Sequence, residues 1–222
     1  MRGHAARAPA LSLTVAVKEG TRAEHEAAER SPFLVALLGG GVDASGYAAY
    51  LRRLRPVYAA LESVGRSMRE DRWVAAVHDP ALDRLAAIDA DLAHWAPGAP
   101  VAVDSPAAAA YVSRIEATTD SGARYVAHHH TRYLGDLTGG RVVRRAVQRH
   151  LGATGPGLAF FAFELSEKPK AYKDWYHSRI DRLPTSPRDV ETVVHEARVA
   201  FELTRGLLDE LADGPTEDPT PH

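Results

Sequence analysis

Apolar residues recur along most of this chain at intervals of three and four. The strongest pattern runs from about Asp43 or Ser45 to Arg66, where Leu51, Leu54, Val57, Tyr58 and Leu61 share one helical face. Pro56 inside it predicts a kink. A first amphipathic helix is expected from about Leu13 to Glu29, closed by Ser31-Pro32. Shorter helices fit 70–77 and 81–93, followed by a turn at Pro97-Gly98-Ala99-Pro100. Ser105 and Pro106 suit the cap and first residue of a helix reaching about Thr118. A longer helix begins near Asp120 and continues through Val143, Val147 and Leu151, until Gly152–Gly157 interrupts it. Pro169–Leu183 and a last helix from Ser186 or Asp189 to about Leu211 complete the series. Period-two runs of Val, Ile and Thr are scarce, so the fold class is all-α. Residues 1–12 and the proline-rich acidic stretch 212–222 are expected to be flexible, leaving 13–211 as one helical domain.

Composition narrows the chemistry. With no cysteine among 222 residues, disulfides, thiolate metal sites and cysteine nucleophiles are excluded. A formal charge of −2 gives no global attraction to nucleic acid. No apolar stretch reaches the length of a membrane span and no signal-peptide core opens the chain, so a cytoplasmic location without a membrane anchor is expected. A monomer is expected.

The segment Arg132-Tyr133-Leu134-Gly135-Asp136-Leu137-Thr138-Gly139-Gly140 sets three glycines and a carboxylate inside a helical pattern. Each helical glycine costs about 1 kcal/mol relative to alanine. Gly135 and Gly139 share a face, with Gly140 beside them, which leaves bare main chain against which something flat could lie; a bend is also expected there. Close helix packing or a C-cap accounts for the same glycines, and the residues alone leave both readings open.

Eleven histidines in a cysteine-free helical chain raise the question of a nitrogen-ligated metal. His78, His94, His150 and His195 read as surface or helix-end residues. The run His128-His129-His130 cannot point three rings one way. A dinuclear carboxylate site wants Glu-x-x-His, and the chain offers only the shorter acids of Asp91/His94 and Asp174/His177. No Ser-His-acid arrangement, phosphate-binding loop or His-Glu-x-x-His motif is present. His25 differs: Glu29, one turn on, can orient its second ring nitrogen, and Lys18 and Arg22 on the preceding turns suit the carboxylates of a planar anion. A satisfied structural histidine is the alternative. Together with the glycine strip, however, an imidazole facing bare main chain would sandwich a porphyrin.

At these residues the chain resembles the haem oxygenase family, over about residues 13 to 211. The matching words are Lys18 to His25, Tyr133 to Gly140, Gly157-Leu158-Ala159-Phe160-Phe161, and Lys173-Asp174-Trp175-Tyr176-His177-Ser178-Arg179. The lack of a C-terminal anchor resembles the soluble bacterial members. The resemblance implies a multi-helix fold with haem between a proximal and a distal helix. It makes His25 the axial iron ligand and Glu29 its partner. Gly135, Gly139 and Gly140 become the distal backbone, and Asp136 holds a water network joined by Arg132 and Tyr58. Lys18, Arg22 and Lys173 would meet the propionates, with Phe161 and Phe201 as apolar neighbours and Tyr133 as packing. Three positions depart from the family pattern. His177 stands where an arginine is usual at the propionate edge, His130 where a tyrosine is common, and Thr204 where some members have an asparagine.

The implied reaction is oxidative cleavage of haem, which is substrate and cofactor together, by O2 and electrons from a transient ferredoxin or flavoprotein reductase. Its products would be biliverdin of the IXα type, carbon monoxide and ferrous iron. A haem carrier that never turns haem over, and a silent helical protein with packing glycines, are the rival readings.

Overall fold

The computed structural model describes residues 12–165 and 168–213; the flexibility expected at 1–11 and 214–222 concerns residues outside that range. Ser12 and Ala212, expected at the edges of the flexible ends, belong to helices: Ser12 caps the first helix and Ala212 ends the last. Among the described residues there is no strand, and no helix is long and apolar enough to cross a membrane.

The expected first helix is two. α1 (Leu13–Gly20) and α2 (Arg22–Glu29) meet at Thr21, whose hydroxyl and amide both bond back to the Val17 carbonyl at 2.8 and 3.0 Å. That local bond competes with helix continuation and turns the chain. Ser31-Pro32, expected as a stop, is also a start. Ser31 accepts from the Leu34 amide and Pro32 is the first residue of α3 (Pro32–Gly39), a helix the periodic pattern does not assign. It closes on Gly40 in the left-handed region at φ 84°, against the ring of His150.

α4 (Ala44–Ser67) is continuous through Pro56 and forms the centre of the molecule. Its stripe of Leu51, Leu54, Val57, Tyr58 and Leu61 is fully buried. α5 (Arg72–Val77) follows. The expected 81–93 helix divides into a short 3-10 turn at Pro80–Leu82 and α6 (Leu85–Trp95). The divider is Glu62 on α4, whose carboxylate accepts from the amides of Arg84 and Leu85 at 2.8 and 2.7 Å and so caps α6 from outside. α7 (Pro106–Glu116) starts at the Ser105 cap as the sequence indicates.

The glycine-bearing helix is interrupted twice. α8 (Gly122–His129) widens into a π-helical turn at His130–Leu134, resumes as α9 (Gly135–Thr138), and passes Gly139 into α10 (Gly140–Leu151). α11 (Pro169–Asp181) and α12 (Pro187–Ala212) complete the fold, α12 starting from a reciprocal Ser186/Asp189 capping box. Glu196 of α12 binds Arg114 of α7 through two bonds of 2.7 Å, and Arg124 and His128 of α8 at 3.3 and 2.9 Å, locking these helices together. Asp91 of α6 accepts from the amides of Ala159 and Phe160, which fixes the connection carrying Phe161.

Candidate haem-binding site

A cavity of about 300 Å³ opens between α2 and the α9 segment. α2 supplies His25, Ala28 and Glu29; Leu34 and Leu38 of α3 and Leu54 of α4 give an apolar side, with Tyr50 of α4 beside them. Opposite α2 lie Arg132, Gly135, Asp136, Gly139 and Gly140. Val142, Val143, Phe161 and, on α12, Phe201, Thr204, Leu207 and Leu208 complete the wall.

The His25 side chain is 55% exposed, and its Nδ1 stands 3.6 Å from a Glu29 carboxylate oxygen. That is too long for a direct hydrogen bond. Phe201 packs against this ring nearly at right angles, centroids 5.6 Å apart and planes at 72°.

On the facing wall Tyr58, Arg132 and Asp136 form one cluster. The Tyr58 hydroxyl bonds the Asp136 carboxyl, and Arg132 Nη2 reaches the Tyr58 oxygen and both Asp136 oxygens at 3.3 Å. Burial pushes the Asp136 carboxyl well above the usual carboxylate range, toward its protonated form. Tyr58 lies behind Asp136, fully buried and off the cavity surface.

The three glycines separate. A Cβ on Gly135 would meet nothing within 4 Å, and one on Gly139 only the Gly135 carbonyl at 3.1 Å. On Gly140 it would lie 2.4 Å from the Phe161 ring. Gly135 and Gly139 thus leave the cavity floor open, while Gly140 lets Phe161 pack.

The remaining candidates stand elsewhere. Lys18 and Arg22 are exposed on α1 and α2, Lys173 is half-buried on α11, and none lines the cavity. His130 and His177 stack on each other, centroids 5.5 Å apart and planes 19° from parallel, with both Nε2 atoms buried and unpartnered. Burial holds His130 down to about 3 and also lowers His177. His129 bonds the Tyr176 hydroxyl at 2.8 Å and His128 bonds Glu196, so the histidine run is divided among three surroundings. The periodic pattern misses Leu34 and Leu38, although the apolar run Phe33–Leu38 behind Ser31-Pro32 carries the signal. It also misses Tyr50, which reads as one more core aromatic of α4.

A sequence model of the family described as Heme oxygenase matches residues 11–210. The chain belongs to the haem oxygenase family. Among curated proteins it is 36% identical to Heme oxygenase 1 of Pongo abelii, over 93% of this chain and 74% of that protein. Identity to the Heme oxygenase of the alga Guillardia theta is 29%, over 90% of this chain and 86% of that one. Heme oxygenase-1 of the cyanobacterium Synechocystis, solved in complex with heme, superposes with a TM-score of 0.86 at 29% identity, covering 90% and 92% of the two chains. The Leptospira interrogans heme oxygenase gives 0.85 at 28% identity, covering 90% and 100%. The all-α architecture is the one these structures share, and the chain is an enzyme of this family, a haem-degrading oxidoreductase.

Proposed function

We propose that this enzyme takes haem into the cavity between His25 and the Gly135–Gly139 main chain and opens it at the α-meso carbon, yielding biliverdin IXα, carbon monoxide and ferrous iron. The observation that carries the reading is the pairing of an accessible imidazole on one wall with side-chain-free backbone on the other, across a largely apolar cavity. A flat, largely apolar macrocycle suits those walls. Bound haem supplies both the substrate carbon and the iron at which O2 is activated; the residues supply placement and protons.

His25 would hold the iron through Nε2, with Glu29 orienting the ring from the Nδ1 side. Gly135 and Gly139 keep bulky groups off the distal face, so that a small gas fits there. Asp136, whose carboxyl burial pushes toward its protonated form, gives a proton to the cavity through water, and the Arg132 guanidinium stabilises the carboxylate left behind. Tyr58 holds the carboxyl in place. A haem carrier needs no such acid, and this cluster favours turnover. Lys18, Arg22 and Lys173 would serve the propionates only as flexible cations reaching in from outside the wall. Electrons come from a ferredoxin or a flavoprotein reductase in transient contact, and the enzyme acts as a cytoplasmic monomer.

Titration with haemin, followed by one turnover with O2 and a reductant and chromatographic separation of the products, tests the reading. A 1:1 absorbing complex and mainly the α isomer are expected. A stable complex that yields no biliverdin would leave a carrier, and predominant β or δ isomer would overturn the orientation.

A further inference from the structure

Tyr50 is polar where Leu34, Leu38 and Leu54, its neighbours on the cavity wall, are apolar. It sits on α4 two turns before Tyr58. Its ring, 8% exposed, packs against Phe33 and Tyr47 at centroid distances of 5.6 and 6.3 Å. An unsubstituted ring would satisfy that packing; the hydroxyl is the part it leaves unexplained. This hydroxyl lies beside Arg132, the guanidinium that also holds Tyr58 and Asp136. Burial pushes the phenol up to about 12 despite the opposing pull of Arg132, so it keeps its proton at neutral pH and remains a donor. The Nε of Arg132 is itself buried without a partner, which marks this corner as one with spare polar capacity.

We propose that Tyr50 is a specificity-determining residue of the site: its hydroxyl offers a hydrogen bond into the space above Gly135 and Gly139 and so favours O2 over carbon monoxide. The inference rests on haem being seated as proposed above. Both gases would compete for that space, one as reactant and one as product. Bound O2 draws electron density onto its outer atom, whereas carbon monoxide stays weakly polar, so a donor aimed at the site stabilises the first more than the second.

Tyr50→Phe removes the hydroxyl and keeps the ring; Tyr50→Leu removes both. Gas affinities of the ferrous haem complex should show O2 binding weakened about three- to tenfold in either variant, the equivalent of one hydrogen bond, with carbon monoxide affinity within about twofold of the unmodified enzyme. The infrared C–O stretch should shift in both variants. The iron–imidazole stretch, set from the His25 side of the cavity, should not. An unchanged ratio of O2 to carbon monoxide affinity in Tyr50→Phe overturns the inference. So does a change confined to Tyr50→Leu, which would reduce Tyr50 to packing. Failure of the unmodified protein to bind haem would instead overturn the function proposed above, and the two failures are distinguished by the haemin titration alone.

Discussion

At the scale of single residues, the proposed function gives His25 and Asp136 separable tasks. His25→Ala should abolish the iron–imidazole stretch in resonance Raman spectra of the ferrous complex, while haem association is weakened but retained through burial against the apolar wall. Persistence of that band would remove His25 as the ligand. Asp136→Ala should leave haem binding within a few-fold and depress the rate of biliverdin formation about a hundredfold or more, the usual contribution of a positioned acid. Equal single-turnover rates would show that the proton comes from elsewhere. The glycine word and His25 are legible in the sequence because both depend on residue type at fixed spacing. The stacking of His177 on His130 is not, because it depends on how the π-helical turn and α11 pack, which no local pattern encodes. Tyr50 is hidden for a similar reason: phenols of the core and of a cavity wall share one periodicity.

The elements hold the site through devices that act at helix ends and turns. Gly135→Ala should be neutral or stabilising by up to about 1 kcal/mol, since its Cβ meets open space. Gly140→Ala should destabilise by about 1–3 kcal/mol, since its Cβ drives into Phe161. Denaturant unfolding of the two variants distinguishes them, and effects of the same sign would refute the division of labour among these glycines. The joint of α12 with α7 and α8 predicts acid sensitivity. Burial opposes ionisation of Glu196, but bonds from His128 and Arg114 hold its carboxyl down to about 2, below its ordinary 4.5. Its contribution is therefore complete above about pH 4.5 and is lost as the pH falls toward 2. Glu196→Gln should unfold more easily at pH 7, by about 3 kcal/mol, and differ less from the unmodified protein at pH 3. A difference independent of pH would refute the assignment. Helix existence reads well from periodicity and capping residues. The breaks at Thr21 and before α6 do not, since one depends on a side chain bonding its own helix and the other on Glu62, which lies on another element.

For the whole molecule, the cavity is a gap between helices, with α2, α3, α4, α9, α10 and α12 all contributing to its wall. A ligand that bridges them should stabilise the fold as a unit. Haem at a hundredfold excess over its dissociation constant should add about 2.7 kcal/mol, a rise of roughly 5–10 °C in the unfolding midpoint for a chain of this size. His25→Ala should show a smaller rise at the same haem concentration. An unchanged midpoint at that concentration would mean that the unfolded chain binds haem as tightly as the folded one, and would refute a site built by the fold. The all-α class follows from composition and period, whereas the cavity volume is a property of several elements together and has no counterpart in any one segment.

The bare floor at Gly135 and Gly139 also gives the enzyme a one-sided relation to mutation. A wall made of side chains can be enlarged or reduced by single substitutions, and its shape drifts in both directions. A floor made of main chain is already at its lower limit: every substitution adds atoms, and none can take any away. Room for substrate here is set by an absence, so variation at these two positions can only narrow what the pocket accepts, and any widening must come from the leucines and phenylalanines around it.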